Sequence, residues 1–402
     1  MKCLFISHYD KTFYLFRKGI VTTLIALGCD VVVACPMGNY TREIESLGAK
    51  YVSLPMKPFI SPVDDLLLIK RAYGIIRDER PDLVHCMSVK PNIYGTIAAK
   101  LAKTPRIVSL VCGVGHAFNP GGFKKKVLRK IVSLLYRVGA RYADVVWMLN
   151  KDDMQLFADE KIVPVSKMTL IRSEGIDMKE YSFVGQKWAS REIRKAIHVD
   201  ADTIVVYMGL GRALWSKGIK QFVEASQILA KKNLPVKFVL ACPLGPKKGA
   251  DSVPCEFLES NRSEHFQWLG ERDDVKDLIA ASNIVTLPAY YREGVPRSLL
   301  EAMAMKRPIV TTDHVGSRET VDHGVNGFLV PPKNSYALSE AIEKLVLDRD
   351  LRERFGEASY QKCLAEFEES LIVRRVLREL YDLPEQEVNR VLPVQLPEMR
   401  AA

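Results

Sequence analysis

Residues 283–312 read NIVTLPAYYREGVPRSLLEAMAMKRPIVTT. NIVTLP is short, apolar and β-branched and ends at a proline, the signature of a buried strand. SLLEAMAMK is rich in helix formers with apolar residues at helical spacing. RPIVTT reads as a second strand. Strand, loop, helix, strand, with continuous apolar strands, is the repeating unit of a parallel sheet covered on both faces. Two carboxylates mark this unit: Glu293 in the loop, and Glu301 near the end of the helix's first turn.

The same alternation continues outward. TIVVYMG, VKFVLAC and HFQWLG precede it as strands. Nearer the N-terminus, KCLFIS, DVVVAC, PDLVHC and RIVSLVCG are strands, separated by helices over residues 17–28, DLLLIKRAYGIIRDER and NIYGTIAAKLAK. The pattern falters at about residues 180–200 and then restarts. A chain of 402 residues is too long for one ordinary core. The expected fold is α/β: two Rossmann-like doubly wound domains, residues 1–185 and 195–367, with a helix at about 368–382 packing back on the first. Open α/β sheets bind ligands at the carboxyl ends of their strands, so two such domains facing each other would make a cleft.

The net charge is +10, and its placement says more than its size. Residues 1–183 hold 27 Lys+Arg against 17 Asp+Glu, whereas the remainder holds 31 of each. Within the first half, residues 83–143 carry eleven Lys+Arg and no acid. A one-sided basic surface predicts an anionic partner: membrane lipid, nucleic acid or a phosphorylated substrate. Nucleic acid fits poorly, because the basic stretch lacks interleaved aromatics and any recognised binding motif. No run of about 18 uncharged apolar residues is present, so no spanning helix is expected. The eight cysteines are scattered without a Cys-x-x-Cys pair, which predicts a reducing compartment and neither a disulfide framework nor a zinc cluster. Asp200-Ala201-Asp202 and Asp348-Arg349-Asp350 lie away from the strand ends that should bind ligand, so no metal is assigned to them.

The loops after strands carry the candidate chemistry. In YREGVPRS, Gly294 permits close backbone approach to a ligand, and Ser298 is a candidate N-cap or phosphate contact. The amide groups at the start of the following helix attract phosphate. Glu293 and Glu301 can accept hydrogen bonds from sugar and ribose hydroxyls, or they can be a plain loop acid and a partner of the helix dipole. In YMGLGRALWSKGIKQF, Arg212 and Lys217 flank a loop and can neutralise a diphosphate, or belong to a solvated turn. In LVCGVGHAFNPGGF, His116 follows Gly113 and Gly115 at a strand end, as a ligand contact or a structural histidine. FKKKVLRKIVSLLYRVGAR sets Val127, Leu128, Ile131, Leu134, Leu135 and Val138 at helical spacing behind Lys124, Lys125, Lys126, Arg129 and Lys130. Basic residues oppose the dipole at a helix start, so these suit an anionic lipid surface, or the solvated end of a core helix.

Taken together, these motifs resemble the family 4 retaining glycosyltransferases of the GT-B fold, over about residues 1–380. REGVPRSLLEAMAMKRPIVTTDHVGSRETVDHGVNGFLVPP is similar to that family's donor-binding block, including its E-x7-E pair. SHYDKTFYLFRKGI, PMGNYTREIESLGAKY, HCMSVKPNIYG and VCGVGHAF are similar to a narrower group, bacterial enzymes that extend undecaprenyl-diphosphate-linked sugars in surface-glycan assembly. The resemblance implies that Glu293 contacts the donor sugar and Glu301 the ribose. The backbone of Gly294, Val295, Pro296 and Arg297, with Ser298, would line the sugar and phosphate site. Arg212 and Lys217 would hold the diphosphate, and His116 would approach the sugar from the first domain. Lys90 and Asn92 would meet the acceptor diphosphate. It further implies metal-independent, cofactor-free transfer of a hexose or N-acetylhexosamine from a UDP-sugar, with retention. The enzyme would work in the cytoplasm at the inner face of the plasma membrane. The sequence departs from the pattern in two places: SHYDKTF lacks an early glycine pair, and Gly113-Val114-Gly115 stands where relatives often read GLG. Alternative readings are a nucleotide-sugar 2-epimerase of the same architecture, a glycosyltransferase with a soluble acceptor, and a silent sugar-nucleotide binder.

Overall fold

The computed structural model describes residues 1–57, 61–113, 118, 122–182, 187–245 and 250–392, with the side chains of residues 124, 125, 187 and 188 left out. The chain divides into two units, Met1–Gly175 with the segment from Glu369 onward, and Ile176–Glu368.

The first unit is built on a seven-stranded sheet in the order β3-β2-β1-β4-β5-β6-β7. Its strands are β1 (Lys2–Ile6), β2 (Asp30–Cys35), β3 (Lys50–Ser53), β4 (Leu83–Met87), β5 (Arg106–Val111), β6 (Val145–Met148) and β7 (Met168–Leu170). Every pairing is parallel, with β1 meeting β2 from Lys2↔Asp30 and β4 from Cys3↔Leu83. Apolar layers bury both faces, which is why these strands read as continuous hydrophobic runs. The helix Asp10–Ala26 begins well before residue 17, where the apolar pattern placed it. Arg17 interrupts that stripe in the sequence, yet its guanidinium is buried, paired with Glu174 and stacked 5.5 Å from the Trp147 ring. The C-terminal segment completes this unit. Val373, Val376, Leu377 and Leu380 join its core, and the Tyr381 hydroxyl lies 2.6 Å from Nδ1 of buried His85.

The second unit has a six-stranded parallel sheet in the order β10-β9-β8-β11-β12-β13. These are β8 (Ile204–Gly209), β9 (Val236–Ala241), β10 (Phe266–Trp268), β11 (Ile284–Leu287), β12 (Ile309–Thr312) and β13 (Gly327–Val330). Residues 176–182 belong here and not, as the 1–185 boundary had it, to the first domain. Ile176, Met178 and Tyr181 are buried in the second core, and that burial sets the division. The helix Lys187–Ala196 also lies in this unit, with Arg194 donating to the Ala281 carbonyl at 3.1 Å. Both Asp-x-Asp pairs serve the backbone. Asp200 accepts from the Thr203 amide at 2.8 Å, and Asp348 caps the helix Arg349–Glu366 by accepting from the Leu351 amide at 2.8 Å.

Candidate active site

In the second sheet the strand order reverses between β8 and β11, which are hydrogen-bonded neighbours. Doubly wound sheets bind ligands at such reversals, outside the carboxyl ends of the strands. The loop after β8 carries Arg212 and Lys217, and the loop after β11 carries Glu293. The fold joins these loops by backbone contact. Tyr290 donates its amide to the Ser216 carbonyl at 2.8 Å. Gly218 has φ +83, and a Cβ there would stand 2.2 Å from the Pro288 carbonyl oxygen. Gly316, at φ +81, lets its turn pass the Glu293–Gly294 backbone, where a Cβ would meet the Gly294 carbonyl oxygen at 1.7 Å. Neither place admits a side chain.

Lys217 Nζ lies 2.6 Å from Glu293 Oε1, with both side chains mostly buried. The same ammonium sits 5.5 Å from the centroid of the Tyr291 ring. The Tyr291 hydroxyl is held above its ordinary pKa, first by burial and then by Glu293, with Arg212 opposing. Arg212 itself is exposed. Asp251 anchors the cationic loop: its carboxylate accepts from the Ser216 amide at 3.0 Å and from the Ser216 hydroxyl. The helix after the Glu293 loop spans Arg297–Ala304 and is entered through Pro296. Ser298 is thus inside the first turn and is not the N-cap expected of it. Proline's fixed φ already suits a helix entry. Glu301 is 8% exposed, and its Oε1 accepts from the Tyr181 hydroxyl at 2.9 Å and from Arg297 Nε at 3.1 Å. Burial raises the Glu301 pKa, while Arg297 and Tyr181 pull against that rise.

The first sheet reverses between β1 and β4, and Lys90 and Asn92 lie just beyond β4. Both turn inward. Lys90 is 7% exposed with Nζ 2.5 Å from Asp65 Oδ1, and Asn92 donates Nδ2 to the Leu110 carbonyl at 2.7 Å. These contacts brace the segment that follows β4. His8, which follows β1 at the same reversal, is only partly buried; burial and then Lys90 lower its pKa. His116 lies outside the described residues, as do Val114 and Gly115.

The helix Phe123–Tyr142 has two distinct faces. Val132, Tyr136 and Ala140 are buried, with Leu128 and Leu135 packed beside them. Phe123 (81% exposed), Val127, Ile131, Leu134 (57%) and Val138 form an exposed stripe along the helix. Thus the apolar residues picked out by spacing divide between core and surface. Lys126 and Lys130 are exposed. Arg129, with its side chain 38% exposed, pairs with Glu160 and lies 5.3 Å from the Phe118 ring. The side chains of Lys124 and Lys125 are outside the described set. Among the described residues, no helix is long and apolar enough to cross a membrane.

Tyr181, Asp251 and His8 escaped the sequence reading. Only His8 left a signal, a polar residue directly after a strand. Tyr181 and Asp251 reach the site through the fold.

Two family models cover most of the chain: a "Glycosyl transferase 4-like domain" over residues 18–173 and "Glycosyl transferases group 1" over residues 190–362. The chain belongs to the glycosyltransferases of the GT-B fold. It is 30% identical over 389 residues, 95% of this chain and 98% of the relative, to the N,N'-diacetylbacillosaminyl-diphospho-undecaprenol alpha-1,3-N-acetylgalactosaminyltransferase of Campylobacter jejuni. It is 25% identical, over 73% of each chain, to the UDP-Gal:alpha-D-GlcNAc-diphosphoundecaprenol alpha-1,3-galactosyltransferase of Escherichia coli. Among solved structures, Anabaena HepE in complex with UDP and glucose superposes with a TM-score of 0.77 at 20% identity, covering 95% of this chain and 100% of the other.

Proposed function

We propose that this glycosyltransferase moves a hexose or N-acetylhexosamine from a UDP-sugar to a sugar carried on a polyprenyl diphosphate, with retention of configuration. The observation that carries the proposal is the end-to-end similarity to the Campylobacter jejuni enzyme, whose name gives a diphospho-undecaprenol acceptor. The chemistry at the second unit's sheet reversal supports it. Glu293 would receive the donor sugar's hydroxyls, Glu301 the ribose, and Arg212 and Lys217 the diphosphate. The amide groups opening the helix Arg297–Ala304 add positive potential for that diphosphate.

In this reaction the bond from the anomeric carbon to the diphosphate oxygen breaks through an oxocarbenium-like transition state. The acceptor hydroxyl bonds to the same face, and its proton passes to the departing phosphate oxygen. No carboxylate pair of the glycosidase kind is required. The protein's task is to stabilise charge developing on the leaving group, and Lys217 and Arg212 are the cations for it. In the resting site Glu293 already partners Lys217. A bound diphosphate would compete for that ammonium and leave the carboxylate to the sugar.

The first unit would meet the membrane through the helix Phe123–Tyr142. Its exposed apolar stripe, flanked by Lys126 and Lys130, suits the interface of an anionic leaflet. Peripheral association at the cytoplasmic face would bring the enzyme to its lipid-linked acceptor.

Retention and metal independence are tested together by NMR of the product's anomeric linkage and by turnover in excess EDTA. An α-linked product from an α-linked donor, formed at an unchanged rate in EDTA, is the expected outcome. A β linkage, or activity abolished by EDTA and restored by a divalent cation, overturns that part of the proposal.

A further inference from the structure

Glu301 is held from one side only. Two donors converge on Oε1: the Tyr181 hydroxyl at 2.9 Å and Arg297 Nε at 3.1 Å. Among the described residues, no side chain or backbone group donates to Oε2. Arg297 also stacks 5.8 Å from the Tyr181 ring, so the three side chains brace one another. Tyr181 comes from the chain segment that opens the second unit and Glu301 from the helix beside the donor loop. Tyr181 is 8% exposed, and its hydroxyl donates to Glu301. A buried carboxylate with one oxygen saturated has one oxygen left for a ligand, in a fixed rotamer.

We infer that Tyr181, with Arg297, is a positioning residue that ties up Glu301 Oε1 and so presents Oε2 to the nucleotide's ribose. This rests on the reading of Glu301 as the ribose contact. It deepens that reading by naming the residues that fix which carboxylate oxygen meets the ribose.

The test is calorimetric titration of UDP, 2′-deoxy-UDP and 3′-deoxy-UDP into wild type, Y181F, E301Q and the double variant, with melting temperatures as the control for folding. Tyr181→Phe keeps the ring and its stacking on Arg297. Wild type should bind at least one deoxy nucleotide about tenfold more weakly than UDP. Y181F should lose about tenfold on UDP and less than about twofold on the deoxy form that lacks the recognised hydroxyl. On the E301Q background, Y181F should add less than about twofold, since the two residues act as one unit. Y181F that discriminates like wild type while E301Q does not, or that weakens all three ligands equally, overturns the role of Tyr181 and leaves the ribose contact standing. Wild type that binds the three alike removes the ribose contact itself, and this inference with it.

Discussion

Lys217 and Glu293 carry most of the residue-scale argument. Their 2.6 Å pairing shields a cation that the transfer reaction needs at the leaving diphosphate. Lys217→Ala should lower turnover by about 10²–10³-fold, as loss of a transition-state donor does, with Arg212→Ala having a smaller effect from its exposed position. Nucleotide release measures both, and near-normal turnover in both variants would refute their role. Glu301 makes a prediction in pH. Its folded-state pKa is raised, by burial first, against the opposing Arg297 and Tyr181 and with Glu180 adding to the rise. The folded protein therefore holds this proton more tightly than the unfolded chain does. Stability from this site is greatest at low pH and falls as pH climbs from the ordinary carboxylate range through the raised value. The melting temperature of E301Q should gain on that of wild type between about pH 4 and pH 7. A gap that stays constant across that range contradicts the account. At this scale the sequence was legible where a residue sits in a loop after a strand, as Glu293 and Lys217 do. It was silent on Tyr181, which lies 120 positions before its partner and meets it only through packing.

At the scale of the element, the helix Phe123–Tyr142 shows what spacing can and cannot tell. Helical periodicity located the helix and its apolar residues, but one period serves two faces equally. Only the fold assigns Val132 and Tyr136 to the core and Phe123, Ile131 and Leu134 to the surface. Lys126→Glu with Lys130→Glu should weaken flotation with liposomes of anionic lipid, and the loss should be greatest at low salt, where screening is least. Unchanged flotation would remove the membrane role of this helix. The strands that the reading passed over, β3, β6, β7 and β13, are three or four residues long. Runs that short carry too few side chains to display a period; β10, β11 and β12 are as short, and were legible through the Pro or Gly that bounds each apolar run.

At the scale of the whole molecule, the segment that begins at Glu369 returns to the first unit. Ile372, Val373, Val376, Leu377 and Leu380 are buried in that core, and each buried aliphatic side chain contributes about 1.5–3 kcal/mol. Ending the chain at residue 368 strips these from a domain whose net stability is about 5–15 kcal/mol. The shortened protein should aggregate or melt far lower by scanning calorimetry, and a soluble, active 1–368 chain would show this packing to be dispensable. Charge is the other property of the whole: the excess of basic residues lies in the first half, and its acid-free stretch contains the two-faced helix. The sequence showed this asymmetry directly, since charge needs no fold to be counted. The most direct test of the central claim is nucleotide release from a panel of UDP- and GDP-sugars, with and without polyprenyl-diphosphate-linked sugars extracted from bacterial membranes. The account predicts release of UDP from one donor, only when the lipid-linked acceptor is present. Release that ignores the lipid but responds to a soluble sugar, or conversion of the donor with no acceptor at all, would contradict it.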